Sequence, residues 1–178
     1  MTMLPGAMAE LNIGDPGLLS TDLGPVIDAD ALQILQEHAV RMEKEARLIA
    51  AAELSEAAAH GTFFAPRAYE QKNLDQLHKE IFGPVLHVIR WKGDQLDAVI
   101  DQINATGYGL TLGVHSRIDE TVDRISSRVN VGNVYVNRNQ IGAVVGVQPF
   151  GGQGLSGTGP KAGGPHYLPR FATEKTIT

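Results

Sequence analysis

A chain of 178 residues with 43% hydrophobic content can bury a sizeable core, so one domain, or one large part of a domain, is expected and disorder of the whole is not. Fifteen basic against 20 acidic residues give a formal net charge of -5 with no long basic run, which argues against nucleic acid as a partner. Zero cysteines exclude disulfides, thiolate metal sites and a cysteine nucleophile within these residues, and the absence of a long apolar run or signal-peptide pattern gives a cytoplasmic reading.

Met3, Leu4, Ala7, Met8 and Leu11 recur at helical spacing, and the turn-rich run Gly14-Asp-Pro-Gly17 follows, so the chain opens as a helix leading into a loop. From Asp28, the apolar positions Ala31, Ile34, Leu35, Ala39, Met42 and Ala46 keep the 3.6-residue period, with Asp28 or Asp30 placed to cap free N–H groups. The Ala-rich run Arg47 to Leu54 has no decisive period and reads as a strand in preference to a continued helix. Thr62-Phe-Phe-Ala65 is expected to be extended because it precedes Pro66. Val85 to Trp91 is rich in β-formers and reads as a further strand.

In the second half, Asp94 to Asn104 carries Leu96, Val99, Ile100 and Ile103 on one helical face and is stopped by Gly107-Tyr-Gly109. Leu110 to His115 reads as a strand, Ile118 to Val129 as a helix, and Gly132 to Asn137 as a strand. That succession predicts an α/β fold, a mostly parallel sheet with flanking helices. Nothing in the composition divides the chain. From Arg138 the periodicity disappears, and nine glycines and three prolines fall between Gly142 and Pro165. Ile141, Val144, Val145, Val147, Phe150 and Leu155 make this segment too apolar for a flexible linker, so it is expected to be a structured loop held by its valines. The β-prone end, Phe171 to Thr178, reads as an unfinished strand.

Few residues carry chemistry on spacing alone. Gly152-Gln-Gly-Leu-Ser-Gly157 matches the dinucleotide pattern G-x-G-x-x-G, but the required strand before it and helix after it are missing. The glycines are better read as letting the backbone approach a ligand or another strand. Glu80 stands beside a Gly-Pro turn as either an ordinary surface acid or an acceptor for a ribose diol. The six histidines lie far apart without metal-ligand spacing, and Ser156 fails the G-x-S-x-G pattern, leaving it a structural hydrogen-bonding role.

Three stretches taken together resemble the aldehyde dehydrogenase superfamily: Lys79-Glu-Ile-Phe-Gly-Pro-Val85; Asn104-Ala-Thr-Gly-Tyr-Gly-Leu-Thr-Leu-Gly113 with Ser116-Arg117; and Gly132-Asn-Val-Tyr-Val-Asn-Arg138 leading to Gln148-Pro-Phe-Gly-Gly152. Within it, Gly142 to Gly152 and Leu155 to Pro165 resemble the L-glutamate γ-semialdehyde (1-pyrroline-5-carboxylate) dehydrogenases, specifically the module of the bifunctional bacterial proline utilization A flavoproteins. The resemblance implies NAD-dependent oxidation of an aldehyde to a carboxylate. A cysteine thiolate attacks, hydrogen-bond donors hold the oxyanion, hydride passes to nicotinamide, and a glutamate-activated water releases the thioester. It assigns Glu80 to the nicotinamide ribose and Phe82 to the nicotinamide end. Gly142 and Ala143 would offer backbone N–H groups to the substrate α-carboxylate, with Phe150 along its aliphatic part.

The resemblance also implies what these residues lack. The cysteine, the general-base glutamate and the dinucleotide-binding domain would all precede Met3, so residues 1–178 are expected to be a partial catalytic domain with no catalytic residue of its own, inactive without the rest of its protein. The parent is expected to be a homo-oligomer, with FAD in a separate proline dehydrogenase domain and, in some members, a DNA-binding domain. Strand edges without partners lead one to expect a marginal or self-associating product from the isolated chain. A dehydrogenase for another semialdehyde, or a non-catalytic binding module, stands as the alternative.

Overall fold

The computed structural model describes residues 1–178, with every side chain but that of Ala57. The chain forms two compact units, Met1–Arg90 and Trp91–Thr178, at a boundary that no shift in composition marks.

In the first unit, α1 (Met3–Ala9) leads into a loop closed by a bridge between Ile13 and Leu23. Asp28 caps α2 (Ala29–Glu45) by accepting the Ala31 N–H at 2.8 Å, which decides between the two aspartates. The helix buries Leu35, His38, Ala39 and Met42, a stripe at i, i+3, i+4 and i+7. Leu35 and Ala39 form a core with Phe64, and Val26, Leu32, Ile81 and Val85 pack around it.

A three-stranded sheet accompanies α2, ordered β1 (Arg47–Ala51), β2 (Arg67–Gln71), β3 (Val85–Ile89), antiparallel in the first pairing and parallel in the second. The Ala-rich run after α2 is a strand, as read. Thr62–Ala65 leads toward the sheet without joining it, and the central strand starts only after Pro66. Arg67-Ala-Tyr-Glu-Gln71 has no β-branched residue to announce it. Ladder partners on both sides make it a strand, and burial of Ala68 and Tyr69 holds it there.

The second unit contains α3 (Leu96–Ala105), β4 (Tyr108–Gly109), β5 (Thr111–Val114), α4 (Asp119–Arg128), β6 (Asn133–Val136) and β7 (Gln153–Gly154). β5 and β6 pair in parallel across α4, the crossover expected for this order. Arg124 donates to Asp97 and Arg128 to Asp101, both at 2.9 Å, so α3 and α4 run side by side in the same direction. Asn104 completes the seam, donating to the Arg128 carbonyl at 2.9 Å and accepting the Asn130 N–H at 2.8 Å. β4 pairs antiparallel with β7.

The expected strand at the C-terminal end is not formed. Leu168–Phe171 makes a single 3-10 turn, and the residues after Ala172 take no regular structure. No neighbouring strand among the described residues offers them ladder bonds, and a lone strand is not stable.

Candidate functional site

Glu80 and Phe82 belong to the first unit. The turn that bears them is anchored by the residues between and beyond them: Ile81 packs against the Leu35 core, and Gly83 lies so close that a Cβ there would meet both δ-carbons of Leu35 at 2.5 Å. With Ile81 turned inward, its neighbours face out, and Phe82 is 82% exposed while Glu80 is also on the surface. Among the described residues no basic side chain pairs with the Glu80 carboxylate.

A cleft of about 280 Å³ separates this turn from α2, lined by Ile34, Glu37, His38, Arg41, His78, Lys79 and Ile81. In its wall the structure joins two histidines that sequence spacing kept 49 residues apart: the Nε2 atoms of His38 and His87 lie 2.8 Å from each other. Arg41 Nη2, which can only donate, lies 3.4 Å from His38 Nδ1. His38 therefore carries its proton on Nε2 and donates it to His87, whose own proton is on Nδ1. Burial, then the facing His87, then Arg41 push the His38 pKa down to about 4, and burial lowers that of His87.

Gly142, Ala143 and Phe150 belong to the second unit. Asn137 turns the chain out of β6 with φ 54°, its side chain bonded to Ser116, and the Arg138 guanidinium lies 4.7 Å from the centre of the Tyr135 ring. Gln148 folds back on Val144, its Oε1 accepting the Val144 N–H at 3.1 Å and its N–H donating to the Val144 carbonyl at 2.9 Å. Phe150 pairs with Ala162 by two backbone bonds of 3.0 and 2.9 Å. Neither the Gly142 nor the Ala143 N–H has an acceptor among the described residues.

The loop is structured, but its valines do not hold it. Val145 is 97% exposed, and Val144, Val147 and Ile141 are also on the surface. Backbone pairing and polar side chains do the fastening, which leaves the apolar side chains free to form a rim. Gly152 to Gly157 is a strand contact: Gly154 pairs with Tyr108, Leu155 donates to the Gly107 carbonyl at 2.9 Å, and Ser156 Oγ accepts the Gly109 N–H at 3.0 Å. No helix follows, so the nucleotide fingerprint lacks its context and Ser156 is structural.

The aldehyde dehydrogenase family model matches residues 2–177. The chain belongs to the aldehyde dehydrogenase family. It is 56% identical over 98% of its length to the bifunctional protein PutA of Klebsiella aerogenes, of which it covers 14%. It superimposes on crystalline proline utilization A of Bradyrhizobium japonicum with a TM-score of 0.93 at 58% identity, covering 99% of this chain and 18% of that one. A 1-pyrroline-5-carboxylate dehydrogenase from Thermus with bound NAD gives a TM-score of 0.81 at 39% identity, covering 93% of this chain and 32% of that one. The chain thus spans about a seventh of the length of these curated PutA relatives.

Sequence reading missed the residues that fasten the loop of this aldehyde dehydrogenase segment, chiefly Asn133 and Lys161. An asparagine at the head of a strand and a lysine among glycines give no local signal when their partners lie 16 to 29 residues away.

Proposed function

We propose that this segment carries the nicotinamide-ribose contact and the substrate-anchoring loop of an NAD-dependent dehydrogenase that oxidises L-glutamate γ-semialdehyde (1-pyrroline-5-carboxylate) to L-glutamate in proline catabolism. The two oxygens of Glu80 accept hydrogen bonds from the ribose diol, and the exposed face of Phe82 lies along the nicotinamide end. The exposure of both groups, and the lack of a cation claiming Glu80 among the described residues, fit that ligand. NAD, when bound, takes up the hydride that leaves the aldehyde carbon.

The carrying observation is the adjacent pair of unengaged N–H groups at Gly142 and Ala143, in a loop fastened on either side. Two donors on consecutive residues suit the two oxygens of a carboxylate. Phe150 lies along the methylene carbons between that carboxylate and the aldehyde. Residues 1–178 act as part of a catalytic domain in a longer homo-oligomeric chain, because the thiolate must come from outside a segment with no cysteine. FAD belongs to a separate proline dehydrogenase domain of that chain.

Steady-state kinetics on the full-length chain test this directly. Glutamate semialdehyde is expected to exceed propanal in kcat/KM by roughly 100-fold, since a site built to bond a charged group discriminates strongly against a ligand lacking it. Equal values for the two aldehydes overturn the anchoring role of Gly142 and Ala143.

A further inference from the structure

The head of β6 meets the glycine-rich loop through three features. Gly132 allows the closest approach, since a Cβ there would sit 1.7 Å from the Gly151 carbonyl oxygen. Asn133 donates through Nδ2 to the Pro149 carbonyl at 3.0 Å and accepts the Gly151 N–H at 3.4 Å, so its amide brackets Phe150 from both sides. Lys161, on the returning limb of the loop, donates through Nζ to the Gly132 carbonyl and to Asn133 Oδ1, the latter at 3.2 Å. Its neighbour Ala162 holds the Phe150 backbone. Both peptide groups flanking Phe150 therefore have their N–H and their carbonyl engaged.

These bonds are separable from the ladder that makes β6 a strand. The N–H groups of Gly132 and Asn133 donate to Gly109 and Leu110 at 3.0 and 3.1 Å, while the Asn133 side chain and the Gly132 carbonyl turn to the loop. No carboxylate pairs with Lys161 among the described residues, so its ammonium is held by neutral oxygens that fix its direction. We propose that Asn133 and Lys161 are positioning residues for substrate binding, a two-residue latch that sets Phe150 against the aliphatic part of the semialdehyde. The proposal rests on the assignment of Gly142, Ala143 and Phe150 to that substrate.

The test compares wild type, Asn133→Ala, Lys161→Met and the double variant in the full-length chain. KM for glutamate semialdehyde is expected to rise roughly tenfold in each single variant, the loss of about one hydrogen bond, with no further rise in the double. KM for NAD and kcat/KM for propanal stay within about twofold of wild type, a split that a general loss of structure would not produce. An unchanged semialdehyde KM, or an equal rise for all three ligands, overturns the latch. A second readout needs no activity: chymotrypsin should cleave after Phe150 several-fold faster in the variants at unchanged unfolding temperature, and equal cleavage also overturns it. Asn133→Leu, close in volume and unable to bond either Pro149 or Gly151, replaces the alanine variant if the latter does not fold. A wild-type enzyme that does not oxidise glutamate semialdehyde, yet shows the cleavage difference, refutes the substrate assignment while leaving the latch on the loop in place.

Discussion

A methyl group added at Gly83 would meet both δ-carbons of the fully buried Leu35 at 2.5 Å, so that side chain would have to move. Gly83→Ala is expected to cost about 1–3 kcal/mol by overpacking, read from the urea midpoint, and to shift the turn bearing Glu80 and Phe82. His38 gives a pH-dependent term of definite sign. Its folded pKa is lowered from 6.5 to about 4, so the unfolded chain takes up a proton first as pH falls. Its contribution is fully present above about pH 6.5 and is lost progressively toward pH 4. Urea midpoints between pH 7 and pH 4.5 should fall, and His38→Gln should flatten that slope; an unaltered slope shows that the pair carries no such linkage. The roles of single residues were legible only in part. Glu80 stands in a long local motif, whereas the His38–His87 pair depends on α2 crossing β3 and has no local trace.

Among the elements, helices were the most legible because their signals are local. The i, i+3, i+4, i+7 stripe of α2 and its cap are contained in 18 residues, and Asp28→Ala should destabilise the chain by about 1 kcal/mol, with Asp30→Ala near neutral, in thermal unfolding. Strand β2 was not legible, since an Arg-Ala-Tyr-Glu-Gln segment becomes a strand only where β1 and β3 flank it. The loop from Gly142 to Gly164 is structured, as its composition suggests, but not by its valines. Its composition shows apolar residues but not which way they point, and the structure turns the valines outward and leaves the holding to Asn133, Lys161 and the Phe150–Ala162 bridge.

For the whole molecule, the fold and the chemistry separate. Purified residues 1–178 should not reduce NAD with glutamate semialdehyde, because no thiolate is available to form the thioester; measurable turnover by absorbance at the reduced-nicotinamide band would refute this. The sequence by itself determined the family, the helix stripes, the β5–α4–β6 crossover and the absence of a cysteine nucleophile, all of which are written in periodicity, motif or composition. Only the tertiary structure decided which residues fasten the loop, which histidines meet, where the central strand of the first sheet runs and where the chain divides into two units. Periodicity is a property of neighbouring residues, while a hydrogen bond between Lys161 and Gly132 exists only once the chain has brought the two together.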